Sequence, residues 1–385
     1  MIDCIMSWED KVYPGVSICG VDMEGCSEEQ IIEKINELFL PKLRDKKISI
    51  LINDNEYIYD YSELDATYDV KTSANEALNY GKDYSVIYKY MIIKGNKVDI
   101  DIGLDFKYDN EKLKVIEDDV ERKVEMEPKN ATIEIEGQNI NVTSDEVGYK
   151  VNKKNLDLLI KDNINGALKE DTRIKIGLDE VQAKIKEEDL RKIKGIMSTF
   201  ESDYSFSKEE RCKNIELATS LVNGTILMPG EEFSYSETTQ RGRGHYESAA
   251  GYISNQVVQV EGGGICQVCT ALYRAVMRSN IKATERHGHS LPVSYTSIGL
   301  DATVAWGSLD YRFVNTYDFP IYIVGTTYNK CIQFLIYGDP EAKEGNSYEL
   351  ITENKGNKVN AYLATYKDGS IIKKELVSSD KIKKH

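Results

Sequence analysis

Three consecutive glycines, Gly262, Gly263 and Gly264, run directly into a helix-forming stretch, so that residues 262–273 read GGGICQVCTALY. No other feature restricts the fold as much. Ile265, Val268, Leu272 and Val276 recur on one face at helical spacing, which predicts a helix from Cys266 to about Arg278 with that face buried. The glycines before it let the backbone adopt conformations closed to other residues and lie close to a ligand. Cys266 therefore falls in the first turn, where unpaired backbone N–H groups and the positive end of the helix dipole favour a thiolate. The competing reading is a buried structural thiol beside a tight turn, because free cysteines are commonly buried.

A nucleophilic thiol needs a base. The chain has only 4 histidines, and two of them, His287 and His289, share the segment ERHGHSLP at 285–292. If that segment is extended, side chains two apart share a face, and both rings can point toward one site. The competing reading is a pair of surface histidines. Asp301 opens a further expected strand and can orient an imidazole, or it is a turn aspartate. Gly263 and Gly264 are candidate oxyanion donors through their N–H groups. Arg241, Arg243 and Arg286 are candidates for bidentate pairing with substrate carboxylates, and Gln267 and Ser290 adjoin the reactive residues as further substrate contacts. Cys266 and Cys269 also form a C-x-x-C pair. That spacing permits a redox dithiol or, with His287 and His289, a tetrahedral zinc site. The βαβ pattern of a thioredoxin-like motif is not visible. The thiol route itself calls for no cofactor.

At 385 residues the chain is long enough for two or three domains of an α+β class. Residues 12–110 and 111–198 read as two copies of a small α+β module. The first has a helix Glu28–Leu43 capped by Cys26 or Ser27 and strands within Ile48–Tyr59; the second has a hairpin at Ala131–Val142 and a helix at Asn152–Asn163. Residues 185–200 are lysine-rich with helical propensity and are expected to connect to a domain at 199–340. Within that domain a helix starts near Lys208 and ends at Asn223-Gly224, and strands are expected at Leu291–Tyr295, Ala302–Trp306, Tyr311–Val314 and Ile321–Val324. Residues 341–385 are expected to form a tail with one hairpin.

The formal charge is −15, and residues 1–202 carry −14 of it, 29 basic against 43 acidic side chains. So acidic a surface repels phosphate backbones, which excludes nucleic acid as the expected partner. No run reaches the roughly 18 apolar residues that span a bilayer, so the chain as given is expected to be soluble. Seven cysteines spread over a long chain are not a disulfide framework.

Four motifs, in order, resemble the VanW domain: NGTxLxPGExFS at 223–234, GGGICQV at 262–268, ERHxHSLP at 285–292 and DATV at 301–304. The segment 12–198 is similar to the peptidoglycan-binding modules that precede that domain. The resemblance implies cell-wall work outside the membrane, with peptidoglycan stem peptides as partners. It also implies L,D-transpeptidase activity forming 3-3 cross-links, with Cys266 as nucleophile. Contact with the membrane is expected only through an N-terminal anchor that this chain does not include. The family commonly has serine at the position of Cys269, which argues against the zinc and dithiol readings. Other expectations are a zinc-dependent wall hydrolase and a non-catalytic wall-binding protein.

Overall fold

A computed structural model of the chain describes residues 1–96, 98–137, 139–253, 256–289 and 291–381, the side chains of 252, 253, 256 and 257 excepted. It is of the α+β class, with helices and many small sheets. The chain forms two compact units, one of residues 1–129 with 147–182, the other of 130–146 with 183–385. Among the described residues no helix is long and apolar enough to cross a membrane.

In the first unit the helix Glu28–Arg44 begins at Ser27, whose hydroxyl accepts the Gln30 N–H while the Gln30 side chain accepts the Ser27 N–H. Its apolar stripe buries Ile31, Ile35 and Leu43. Lys47–Ile52 and Asn55–Asp60 form the antiparallel pair expected from their alternation. Lys47–Ile52 also pairs, in parallel, with Thr172–Ile176. One core accordingly draws Ile31 and Ile48 together with Leu113, Leu156, Ile160 and Ile174. The boundary expected near residue 110 thus runs through a shared core. A parallel pairing between distant strands leaves no mark on the alternation of either strand. The hairpin Ile133–Glu136 with Asn139–Val142 forms, but it belongs to the second unit, where Ala131 and Ile133 pack with Leu190, Ile193 and Tyr337.

The lysine-rich segment is helical only at Glu187–Leu190 and then becomes strand β1, Gly195–Asp203. Ile196, Thr199 and Phe200 suit a pleated surface, and pairing with a central strand overrides the helical propensity of the lysines. Helix α1 spans Glu209–Val222, followed by β2, Thr225–Leu227. The predicted cysteine helix is α2, Ile265–Arg278. With β3, Ile321–Tyr328, and β4, Cys331–Gly338, an antiparallel sheet forms in the order β1-β4-β3-β2. Helix α2 packs on β1 and β4, and Ser198 Oγ donates to the Ala275 carbonyl at 2.6 Å.

The tail is a three-stranded antiparallel sheet, β5 Ser347–Lys355, β6 Lys358–Lys367 and β7 Ser370–Lys381, rather than one hairpin. Leu350 and Leu363 join the core around α2, and Glu349 receives Arg274 at 2.8 Å and Arg278 at 2.7 Å. Residues 291–295 and 302–306 form no ladder strands, only one bridge between Ala305 and Leu309. The segment carrying the histidines is therefore an irregular loop lying across α2.

Candidate active site

The turn into α2 explains its glycines. Gly262 has φ 78° and Gly264, which caps the helix, φ 114°, both in the left-handed region that disfavours a side chain. At Gly263 the constraint is space, since a Cβ would lie 2.4 Å from the Ala249 carbonyl oxygen. The Gly263 N–H donates to the Val260 carbonyl at 3.2 Å, and its own carbonyl accepts Asn214 Nδ2 at 3.0 Å. The expectation that Gly263 offers an oxyanion donor is corrected by that pairing. The N–H groups of Gly264 and Cys266, by contrast, have no acceptor among the described residues.

Cys266 is partly buried, with Sγ 3.3 Å from Thr303 Oγ1. The His289 imidazole stands close enough to the thiol for each to shift the other's charge state. Its Nδ1 lies 2.7 Å from Asp301 Oδ2, which also accepts the His289 backbone N–H at 2.6 Å, so Nε2 is the ring nitrogen left to act on the thiol. The Tyr295 hydroxyl stands 3.5 Å from Nε2. Burial pushes the Cys266 thiol up, but the hydrogen bond and charge of His289, aided by Thr303, outweigh it and leave the thiol below its ordinary value. Burial pulls His289 down, yet Asp301 and Cys266 push it up to about 9. Asp301 is raised by burial and held below the usual carboxylate range by His289 and Arg286. All three shifts favour a thiolate beside an imidazolium.

The remaining candidates sort by what they touch. His287 does not join His289 at the thiol: its Nε2 lies 2.9 Å from Glu285 Oε1 and its carbonyl accepts the Thr303 N–H. Cys269 is fully buried and its thiol is pushed well up, first by burial. The alternative zinc set of Cys266, Cys269, His287 and His289 is therefore not assembled, and no group of three or more ligating side chains is placed for a metal among the described residues. Arg286 is not a substrate contact but a buried clamp. Its Nε donates to the Asp301 carbonyl at 2.6 Å, Nη2 to Asp301 Oδ1 at 3.0 Å and Nη1 to Asp380 Oδ2 at 2.6 Å. Gln267 is likewise structural, donating to Ser202 Oγ and the Asp203 carbonyl and accepting from Arg211. Arg243 stacks over Trp306, 5.4 Å from the ring, and Arg241 is exposed at the end of the short helix Tyr235–Gln240. Ser290 lies outside the described residues.

A cleft of about 960 Å³ opens at Cys266, lined by Gly264, Arg211, Tyr295, Thr303 and Trp306, together with Ala249–Gly251 of the preceding hairpin. Sequence reasoning missed Arg211, Tyr295, Thr303 and Trp306. Thr303 stood inside the DATV motif but was given no role, and the others carried no signal, because they reach the cleft through irregular loops and a neighbouring helix.

Fold and site together define a two-unit α+β protein whose second unit holds a Cys–His–Asp constellation in an open cleft. Residues 210–337, which include all three side chains, match the family described as VanW like protein, and residues 57–173 match the one described as "Putative peptidoglycan binding domain". The chain thus carries a VanW-like domain preceded by a peptidoglycan-binding domain. It is 34% identical over 137 residues to "Uncharacterized protein YoaR" of Bacillus subtilis (strain 168), covering 35% of this chain and 45% of that one. It is 24% identical over 192 residues to "Vancomycin B-type resistance protein VanW" of Enterococcus faecalis (strain ATCC 700802 / V583), covering 46% of this chain and 70% of that protein. The chain spans less than half the length of the first of these relatives. No solved structure matches it.

Proposed function

We propose that this chain is a peptidoglycan L,D-transpeptidase that works outside the membrane at the cell wall and forms 3-3 cross-links through a thioester on Cys266. The observation that carries the reading is the Cys266–His289–Asp301 line at the N-terminus of α2, with thiol and imidazole both shifted toward their charged forms. The matches to a VanW-like domain and a peptidoglycan-binding domain support the wall as the place of action.

The Cys266 thiolate attacks the carbonyl of the third stem-peptide residue. The developing oxyanion is held by the Gly264 and Cys266 N–H groups, as is usual for acyl transfer. The His289 imidazolium gives its proton to the departing nitrogen, the C–N bond breaks, and D-alanine leaves. A thioester and a neutral imidazole remain. His289 then takes a proton from the acceptor amine as that amine attacks, and the thiolate leaves while the new amide forms. Asp301 keeps the ring oriented and its charge compensated throughout. No cofactor enters these steps.

Incubation of the purified chain with tetrapeptide muropeptides tests the reading. The expected result is D-alanine release with cross-linked dimers, both lost in Cys266→Ala. Activity that persists in Cys266→Ala, or no release and no dimers from the unmodified chain, overturns it.

A further inference from the structure

Arg211 lies in the first turn of α1, and its stem crosses the N-terminus of α2: a Cβ on Gly264 would meet Arg211 Cγ at 3.0 Å. The guanidinium is held by Ser207 and Gln267. Nη1 donates to Ser207 Oγ at 2.5 Å, and Nη2 donates to Gln267 Oε1 at 2.8 Å. Gln267 directly follows the nucleophile and is 2% exposed, and its own Nε2 is fastened to Ser202 Oγ at 2.9 Å and the Asp203 carbonyl at 2.7 Å. A buried amide on the nucleophile's helix thus aims an arginine into the wall of the cleft. A surface arginine needs no such bracket, since an exposed guanidinium is readily solvated.

We infer that Arg211 is a specificity-determining residue that binds the terminal carboxylate of the acyl donor, on the residue that leaves. This rests on the acyl-transfer reading above and names the group that the site recognises. The leaving nitrogen and its carboxylate are joined through a single carbon. A donor whose carbonyl oxygen occupies the Gly264 and Cys266 N–H groups carries that carboxylate within the cleft that Arg211 also lines. Arginine presents planar, forked donors that match a carboxylate, and a pre-fixed fork loses little side-chain freedom on binding. The arrangement selects donors that end at the leaving residue and disfavours those in which the carboxylate is masked. The charge of Arg211 also reaches the Tyr295 phenol, which it acts to lower against the dominant effect of burial.

The test measures binding, so it is separable from turnover. Calorimetry on the Cys266→Ala chain compares a free tetrapeptide stem with the same peptide carboxamidated at its C-terminus. The expected result is an amide bound about 10- to 100-fold more weakly than the acid, on the scale of charge-assisted hydrogen bonds. In Cys266→Ala with Arg211→Ala that ratio collapses toward one, and with Arg211→Lys it is partly retained. Acid and amide binding alike, or both failing to bind, overturns the inference, as does a ratio that survives Arg211→Ala. A penalty that instead follows amidation of the third residue also overturns it. D-alanine release by the unmodified chain is read separately, so failure of the carboxylate contact and failure of acyl transfer give different results.

Discussion

At the scale of single residues, the site turns on which effect wins at Cys266. Burial disfavours any charged sulfur, and a thiol in this position without His289 would be inert. The imidazole reverses that balance because Asp301 holds Nδ1 at 2.7 Å and keeps the ring protonated. Alkylation by iodoacetamide, followed by mass spectrometry across pH, reads the result. A thiol held below its ordinary value stays reactive at lower pH than a free thiol and loses reactivity as pH falls through its lowered pKa. In His289→Ala burial is opposed only by Thr303 and Val304, so the profile moves to higher pH. Superimposable profiles would show that His289 does not act on the sulfur. Asp301→Asn is expected to shift the profile in the same direction but less, because the hydrogen bond survives while the charge is lost. His287→Ala should leave it in place, since that ring is paired with Glu285.

Among elements, the turn at 262–264 and the loop at 286–301 do most to place these groups. The first was legible in the sequence: three glycines before an apolar-striped helix predict a tight entry and a cysteine in the first turn, and α2 starts at Ile265. What the sequence could not show was how the three glycines differ. Gly264 is demanded by φ, whereas Gly263 is demanded by the Ala249 carbonyl, contributed by the opposite strand of the hairpin that leads into the turn. Gly263→Ala therefore forces backbone apart. It should cost about 1–3 kcal/mol, the scale of overpacking, and slow Cys266 alkylation together with the loss in melting temperature. Unchanged stability would contradict the close approach. The loop was misread as strands because alternation in a short run says nothing about whether a partner strand is present. Here Asp301 Oδ2 takes both the ring and the backbone N–H of His289, and that local pairing replaces a ladder. The two rings expected to act alike are taken by different carboxylates, His287 by Glu285 and His289 by Asp301.

For the molecule as a whole, the C-terminal strands are part of the site's support. The VanW-like match ends at residue 337, yet Asp380 on β7 holds the Arg286 guanidinium that in turn holds Asp301. The sequence marked a hairpin there and gave no hint that its end returns to the histidine loop, because an ion pair across 94 positions has no local signature. Asp380→Ala removes one partner of a buried cation. A loss of about 1–3 kcal/mol in chemical denaturation is expected, with slower alkylation of Cys266. Equal stability would mean that Arg286 does not depend on the tail. The same limit explains the first unit, where the two stretches read as separate modules share a core through the pairing of Lys47–Ile52 with Thr172–Ile176. Local patterns gave the helices and hairpins, while pairings between remote strands decided which of them share a core.

The measurement closest to the chemistry is the intact mass of the chain after brief exposure to a tetrapeptide stem without acceptor. Acyl transfer through the sulfur predicts an adduct heavier than the protein by the donor minus D-alanine, located on the peptide containing Cys266 and missing from Cys266→Ala. D-alanine set free with no adduct at any time point, or an adduct of the same mass on Cys266→Ala, would contradict a thioester at this cysteine.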